Sequence, residues 1–391
     1  MDFLPYGRQT IEDDDIAAVA DVLRSDFLTT GPQVANFEEA FARETGSCHA
    51  VSCNSGTAAL HLAVLAANVG PGQAAIVPSV TFLSTANVVR MAGAEVIFAD
   101  VDPDTGLMTE DALIAAIERG RRLGYHVTAA LPVHLNGQLC DMPSLAKIAE
   151  HNGITLIEDA CHALGIPGIG ATHYSAMACF STHPVKAITT GEGGVVTTED
   201  IGMAQRMREL RSHGMVRDKA RWKSRDIGFE GEQQNAWVYE MHEIGWNYRM
   251  PDLLCALGVS QIKKLPRFFQ RRTEIATLYD NLLKPLAPAL RPVPHGQREH
   301  AWHLYPVLVD FLALGVTRQH FMSALRSVGI GSQVHYVPVH RQPYYRARYG
   351  ELALPASDEY YARCLSIPMF PAMTDAEVET VVAAFSKLIG H

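Results

Sequence analysis

The chain has 391 residues, 48% of them hydrophobic and 19% charged, with a formal net charge of −9. This is globular composition with room for one large and one smaller domain, and the acidic balance with no strongly basic domain argues against a nucleic-acid surface. Cys48, Cys53, Cys140, Cys161, Cys179, Cys255 and Cys364 are scattered without a CxxC pair, which points to buried thiols in a reducing compartment rather than a disulfide framework or zinc site.

The opening MDFLPYGRQ has no basic-then-apolar leader pattern, and no apolar run reaches membrane-spanning length, so the expected location is the cytoplasm. Residues 6–15 are polar and then acidic, and they lead into a helix over 16–23 that the SDFLTTGP segment (25–32) breaks. From 50 to 198 strand and helix patterns alternate. Apolar runs cover 50–53, 74–77, 95–99, 127–133, 155–157, 178–180 and 195–197; helical patterns at 58–67, 85–91, 110–120 and 143–151 fall between most of them. Continuous apolar strands separated by helices predict an α/β fold with a mainly parallel, seven-stranded sheet covered on both faces. Strand order does not follow from the pattern.

Residues 203–214 read as a helix stopped by Gly214. Eight arginines and lysines lie across 206–225. Such a run reads as a solvated face, the alternative being that part of it, Arg217 included, meets a diphosphate. A helix over 251–262 closes the first domain (1–262), and a long helix from 265 opens the second (263–391). There 285–294 reads as a proline-rich linker. Strands are expected at 302–309 and 331–337, with a helix over 318–328 between them and a last helix over 375–388.

Chemistry concentrates in MACFSTHPVKAITTGEGGVVTT (177–198). Lys186 is the only lysine between Lys147 and Lys219. It follows one apolar strand and precedes a Thr-Thr-Gly-Glu-Gly-Gly turn into another, so its amine belongs to a tight loop at a strand end, where open α/β sheets assemble their sites. In a dry cleft that amine becomes a Schiff-base nucleophile; on the surface it is merely a lysine on a glycine turn. TLIEDA (155–160) ends a strand in Glu158-Asp159. Ser55-Gly56-Thr57 opens a helix whose free N–H groups suit a phosphate. A Schiff-base lysine, a buried carboxylate and a phosphate cradle are three parts that pyridoxal 5'-phosphate requires.

HPVKAITTGEGG, EDACHALG, CNSGTAALHLA and GWNYRMPDLLCALG together resemble the sugar-nucleotide aminotransferases of the DegT/DnrJ/EryC1/StrS family, from Pro5 to about Thr380. The resemblance implies the fold-type I aminotransferase architecture, with pyridoxal phosphate on Lys186 and Asp159 at the ring nitrogen. It further implies Phe82 stacked on the ring, His162 at the ring hydroxyl, and Ser181 with Ser55, Gly56 and Thr57 at the phosphate. Asn247 matches a residue that reaches the phosphate of a neighbouring subunit, which implies a homodimer with shared sites. Tyr6 and Asp26, Phe27, Leu28 and Thr29 match the mouth of the sugar-nucleotide site. His183 is expected to be structural. PYGRQTIEDDDI, RSHGMVRD and QVHYVPVHRQPYY are similar to the branch that aminates a UDP-4-keto-6-deoxy-N-acetylhexosamine on the way to pseudaminic acid, with L-glutamate as donor. On that likeness Arg217 would face the diphosphate and His335 and Tyr336 the sugar; alternatively QVHYVPVH is only a strand and a turn.

The stretch between His162 and Ser181 is several residues shorter than is usual in the family. A dehydratase of the same family would carry histidine in place of Lys186, and a ligand-binding regulator would need a basic DNA-binding module. Neither feature is present. A transaminase for a GDP- or dTDP-linked sugar, or for the 3-position, is the serious competitor, because the shared core sets the chemistry and loops set the substrate.

Overall fold

The computed structural model describes residues 3–296 and 299–390, without the side chain of Arg225. The strands of the large sheet are β1 (His49–Cys53), β2 (Gln73–Pro78), β3 (Glu95–Ala99), β4 (His126–Ala130), β5 (Thr155–Asp159), β6 (Met177–Ser181) and β7 (Gly194–Thr198). They lie in the order β1-β7-β6-β5-β4-β2-β3. All neighbours are parallel except at β7, which runs against both β6 and β1. The expected mainly parallel sheet is therefore present, with one reversed strand next to its edge.

Side chains alternate across this sheet because the strand period is two. Ala75, Val77, Ile157, Cys179 and Val196 face a core shared with helices α3 (Gly56–Ala66), α4 (Leu83–Met91) and α7 (Ile201–Leu210). Ala74, Ile76, Ala130 and Leu156 face helices Glu110–Arg122 and Met142–Asn152. Ala50, Phe180 and Val195 face helices Pro32–Thr45 and Asp252–Ile262. The same alternation separates two adjacent acids. Glu158 bonds His134 at 2.7 Å and Ser175 at 2.6 Å, while Asp159 turns to the α4 side.

Two sequence expectations are corrected, and one helix went unread. Helix Pro32–Thr45 carries Val34, Phe37 and Phe41 at helical spacing between Pro32 and Gly46, signals that the reading of 25–32 as a break passed over; its N-terminus is capped by Asp252, which accepts from the amides of Gly31 and Gln33 at 2.8 and 2.9 Å. The expected linker at 285–294 contains a strand, Leu290–Pro292, paired antiparallel with Tyr305–Val309. Proline is tolerated there because the strand lies at the sheet edge. The expected strand at 331–337 makes only one bridge, Gln333 to Ser366; the third strand of the small sheet is Cys364–Ile367. This sheet packs with helices Leu265–Leu283, Arg318–Ser327 and Asp375–Ile389 around a separate core that includes Tyr279, Val307, Leu325 and Phe385.

The basic run is not simply a solvated face. Arg208 and Arg211 reach Glu38 at 3.3 and 2.6 Å, Arg206 pairs with Glu243, and Arg221 with Glu209, while Arg217 is exposed. The short stretch after His162 folds inward: Ile166 and Ile169 are buried, and the Gly170 amide donates to the Thr45 carbonyl at 3.0 Å. All seven cysteines are free, and five are buried.

Candidate active site

The carboxyl ends of β2, β5 and β6 meet the small-sheet region around a cavity of about 890 Å³. Its lining includes eleven of the residues singled out from the sequence: Tyr6, Ser55, Gly56, Thr57, Phe82, Asp159, His162, Ser181, Lys186, His335 and Tyr336.

Lys186 sits on the loop between β6 and β7. The Thr182 and Thr190 hydroxyls close that loop at 2.5 Å, and the Thr182 amide donates to the Gly193 carbonyl at 3.0 Å. A Cβ on Gly193 would lie 2.4 Å from both hydroxyl oxygens, so the closure needs glycine. From below, Gln261 accepts from the Thr189 amide at 3.3 Å and donates to Asp15 at 2.7 Å, and Lys264 pairs with Asp15 at 2.7 Å. Lys186 itself is half-buried and lines the cavity. Among the described residues its amine has no hydrogen bond or ion pair. Burial pulls its pKa below the ordinary 10.5, against weaker upward pulls from Cys161 and Asp159.

Asp159 is 5% exposed. Its Oδ1 accepts from the Cys161 amide at 3.2 Å and its Oδ2 from the Thr85 hydroxyl at 2.8 Å. Both donors are neutral, and no cation among the described residues lies within ion-pair distance. A buried carboxylate without a counter-charge is costly, so the cavity suits a ligand that brings a positive group to this acid.

Opposite lies the start of α3. The Ser55 hydroxyl accepts from the Ala58 amide at 3.1 Å, which leaves the first-turn amides of Gly56 and Thr57 at the cavity without intrahelical acceptors. The approach here is close. A Cβ on Gly56 would lie 2.8 Å from Ser181 Cβ, and one on Gly194 would lie 2.3 Å from the Ser55 carbonyl oxygen. The helix N-terminus, with Ser181 beside it, forms a cradle for an anion. An amine, a buried acid and an anion cradle at one cavity thus fit the three parts of pyridoxal phosphate, its aldehyde, ring nitrogen and phosphate.

His162 carries a fixed tautomer. The Asn136 amide donates to Nδ1 at 3.2 Å, so the hydrogen is on Nε2, 3.3 Å from the Tyr336 hydroxyl. Burial pushes the His162 pKa far down and that of Tyr336 up, so both are neutral at ordinary pH. His335, held by Ser366 at 2.8 Å, is likewise lowered by burial to about 3. Its ring lies 5.4 Å from that of Tyr6. Phe82 is 54% exposed, open to the cavity, with its ring 6.0 Å from Tyr336.

Six expected residues do not line this chain's cavity. Asp26, Phe27, Leu28, Thr29, Arg217 and Asn247 are all exposed. Conversely, sequence reasoning missed Thr81, Cys161, Glu192, His303, Gln333 and Gln342, and His183 also lines the cavity although a structural role was expected for it. In the sequence His303 stands out only as part of a strand; its ring lies 4.4 Å from His162.

Fold and site together are those of a pyridoxal-phosphate-dependent aminotransferase. The chain belongs to the DegT/DnrJ/EryC1/StrS aminotransferase family, whose sequence model matches residues 9–386. It is 38% identical over 400 residues to the UDP-4-amino-4-deoxy-L-arabinose–oxoglutarate aminotransferase of Shewanella sediminis, covering all of this chain and 99% of that one. Among solved structures it is similar to Helicobacter pylori PseC, an aminotransferase involved in the biosynthesis of pseudoaminic acid, with TM-score 0.88, 28% identity and 99% of each chain covered. It is also similar to DesI, solved in the presence of its TDP-sugar product, with TM-score 0.85, 28% identity, and 100% and 93% of the two chains covered. The protein is a sugar-nucleotide aminotransferase that uses an amino donor and pyridoxal phosphate.

Proposed function

We propose that the enzyme transfers the amino group of L-glutamate to the 4-keto position of a UDP-4-keto-6-deoxy-N-acetylhexosamine, in pseudaminic acid or related surface-glycan synthesis. The observation that carries this reading is the 38% identity, over the whole chain, to an enzyme whose name couples UDP, a 4-amino sugar and oxoglutarate. The likeness to PseC supports the hexosamine branch. The likeness to DesI, solved in the presence of its TDP-sugar product, supports a second reading, a TDP-linked sugar.

In this reading each group in the cavity has its own task. When bound, pyridoxal phosphate supplies the electron sink that lets nitrogen and proton move. Lys186 holds the cofactor and, once released, carries the proton at the substrate carbon; the burial that lowers its pKa moves its amine towards the range such a base needs. Asp159 keeps the ring nitrogen protonated. Phe82 covers one ring face, and the His162 Nε2–H meets the ring hydroxyl. Ser55, Gly56, Thr57 and Ser181 hold the phosphate. Tyr6, His335 and Tyr336 orient the sugar so that its carbonyl faces the cofactor amine, an effect worth roughly 7–11 kcal/mol at its best.

Asn247, Asp26, Phe27, Leu28, Thr29 and Arg217, exposed in one chain, would complete the site of a second copy in a homodimer. We also take residues 1–262 and 263–391 as the two domains, supported by the separate core of the second, and the cytoplasm as the location. Among the described residues no helix is long and apolar enough to cross a membrane.

The test is competition among UDP-, dTDP- and GDP-linked 4-keto sugars at equal concentration, with a UDP-4-keto-pentose included. The expected result is the highest kcat/KM for the UDP-N-acetylhexosamine. A ratio favouring another nucleotide or the pentose would refute the branch while leaving the aminotransferase intact.

A further inference from the structure

Asp159 is held by the Cys161 amide and thiol and by the Thr85 hydroxyl, and the hydroxyl can be removed without disturbing the backbone. The Cys161 amide bonds Oδ1; the Thr85 hydroxyl bonds Oδ2 at 2.8 Å. An ionised carboxylate only accepts, so the single hydroxyl hydrogen of Thr85 is committed to Asp159. Thr81 Oγ1 lies 2.8 Å from Thr85 Oγ1, and that contact must therefore use the hydrogen of Thr81. Donation runs in one direction, from Thr81 to Thr85 to Asp159. All three residues are buried, at 2%, 0% and 5% exposure. Thr85 stands in the first turn of α4, where its amide donates to the Phe82 carbonyl at 3.3 Å, so the helix itself fixes the hydroxyl against the acid. A threonine needed only to fill space here would be matched by valine, which has the same branching and nearly the same volume.

We propose that Thr85 is a positioning residue for transamination: its hydroxyl, fed by Thr81, fixes the Asp159 carboxylate and keeps the shared proton on the ring nitrogen. The role rests on Asp159 pairing with that nitrogen. In a dry site the proton between carboxylate and pyridine nitrogen can sit on either partner. Each hydrogen bond donated to the carboxylate favours its ionised form and so leaves the proton on the ring. Without the Thr85 donor the carboxylate becomes more basic and draws the proton to itself. The ring then withdraws fewer electrons, and the Schiff base with Lys186 keeps its own proton to higher pH.

The experiment is a pH titration of the visible band of the cofactor-loaded enzyme, with kcat and KM measured in parallel, for Thr85→Val, Thr85→Ser and Thr81→Val. In Thr85→Val the midpoint should rise and kcat should fall by about tenfold to a hundredfold, the scale of one hydrogen bond to a charged group, while KM for the amino donor changes little. Thr85→Ser should restore both the midpoint and kcat, and Thr81→Val should give a smaller shift in the same direction. A wild-type midpoint and kcat in loaded Thr85→Val would overturn the proposal. If that variant does not fold, a wild-type midpoint in Thr81→Val would overturn it instead. Asp159→Asn separates the two levels: if that variant titrates and turns over as wild type does, the pairing of Asp159 with the ring is itself wrong.

Discussion

Replacing Asp159 by Asn removes a charge and nearly nothing else, and the local geometry sets the cost. The carboxylate serves two fixed donors, the Cys161 amide at 3.2 Å and the Thr85 hydroxyl at 2.8 Å. The asparagine oxygen can serve only one of them. If it faces Thr85, its NH₂ group meets the Cys161 N–H, donor against donor. If it faces Cys161, the NH₂ group donates to the Thr85 oxygen, and the Thr85 hydroxyl hydrogen loses the acid as its acceptor. In either arrangement the side chain has no charge with which to hold a proton on the ring nitrogen. Removing one member of a buried charged pair typically costs about 3–5 kcal/mol. Expressed at the transition state, that is on the order of a hundred- to several-thousand-fold in kcat. The assay is single-turnover conversion of glutamate to 2-oxoglutarate by loaded enzyme, with cofactor content measured separately. The variant should keep its cofactor through Lys186 and the α3 cradle and still lose the rate. Turnover within about tenfold of wild type would refute the reasoning.

Two further predictions concern the lysine and the assembly. Lys186→Ala should fold, bind pyridoxal phosphate without the visible Schiff-base band, and lose transamination; borohydride reduction of the wild type should then label Lys186 alone in a peptide map, and a pyridoxyl group on any other lysine would contradict the assignment. Mixing Lys186→Ala with Asn247→Ala protein should restore part of the activity, because a hybrid dimer has one site with both residues intact; subunit exchange without recovery would exclude a site shared through Asn247.

The cofactor side of the site is legible in the sequence because its signals are local. The lone lysine, the glycines after it and the acid ending an apolar run each show within a short stretch of chain, and the structure gathers Lys186, Asp159 and Gly56 at one cavity. The illegible parts depend on contacts distant in sequence. Helix Pro32–Thr45 has local signals in Val34, Phe37 and Phe41, but the cap on its first amides comes from Asp252, more than two hundred residues on. The stretch at 331–337 has strand-like composition, but His335 is tied to Ser366 and Tyr336 to His162, so it lines the cavity instead of joining a sheet. Cys364–Ile367 is too short for an alternating pattern to register. Thr85 looks like an ordinary helix residue until Asp159 is seen beside it, and His303 like an ordinary strand residue until His162 is.

The charge lining the cavity does not match the charge of what the enzyme binds. Among the described residues lining the cavity, Lys186 is the only lysine or arginine. Burial keeps His162, His303 and His335 neutral, and Asp159 and Glu192 are acids at the same cavity. Yet everything the enzyme handles is anionic: the cofactor phosphate, the carboxylates of an amino-acid donor and the diphosphate of a nucleotide sugar. The α3 N-terminus supplies about half an elementary charge, enough to favour the phosphate but not a diphosphate as well. In the homodimer proposed above, the remaining positive charge would arrive on a segment that is exposed in one chain. Arg217, exposed and without an ion pair among the described residues, is suited to that role, whereas Arg206, Arg208, Arg211 and Arg221 are already engaged by Glu243, Glu38 and Glu209. The ion pairs thus set Arg217 apart from the neighbouring arginines that hold the fold together, and in the proposed homodimer a second subunit would deliver it.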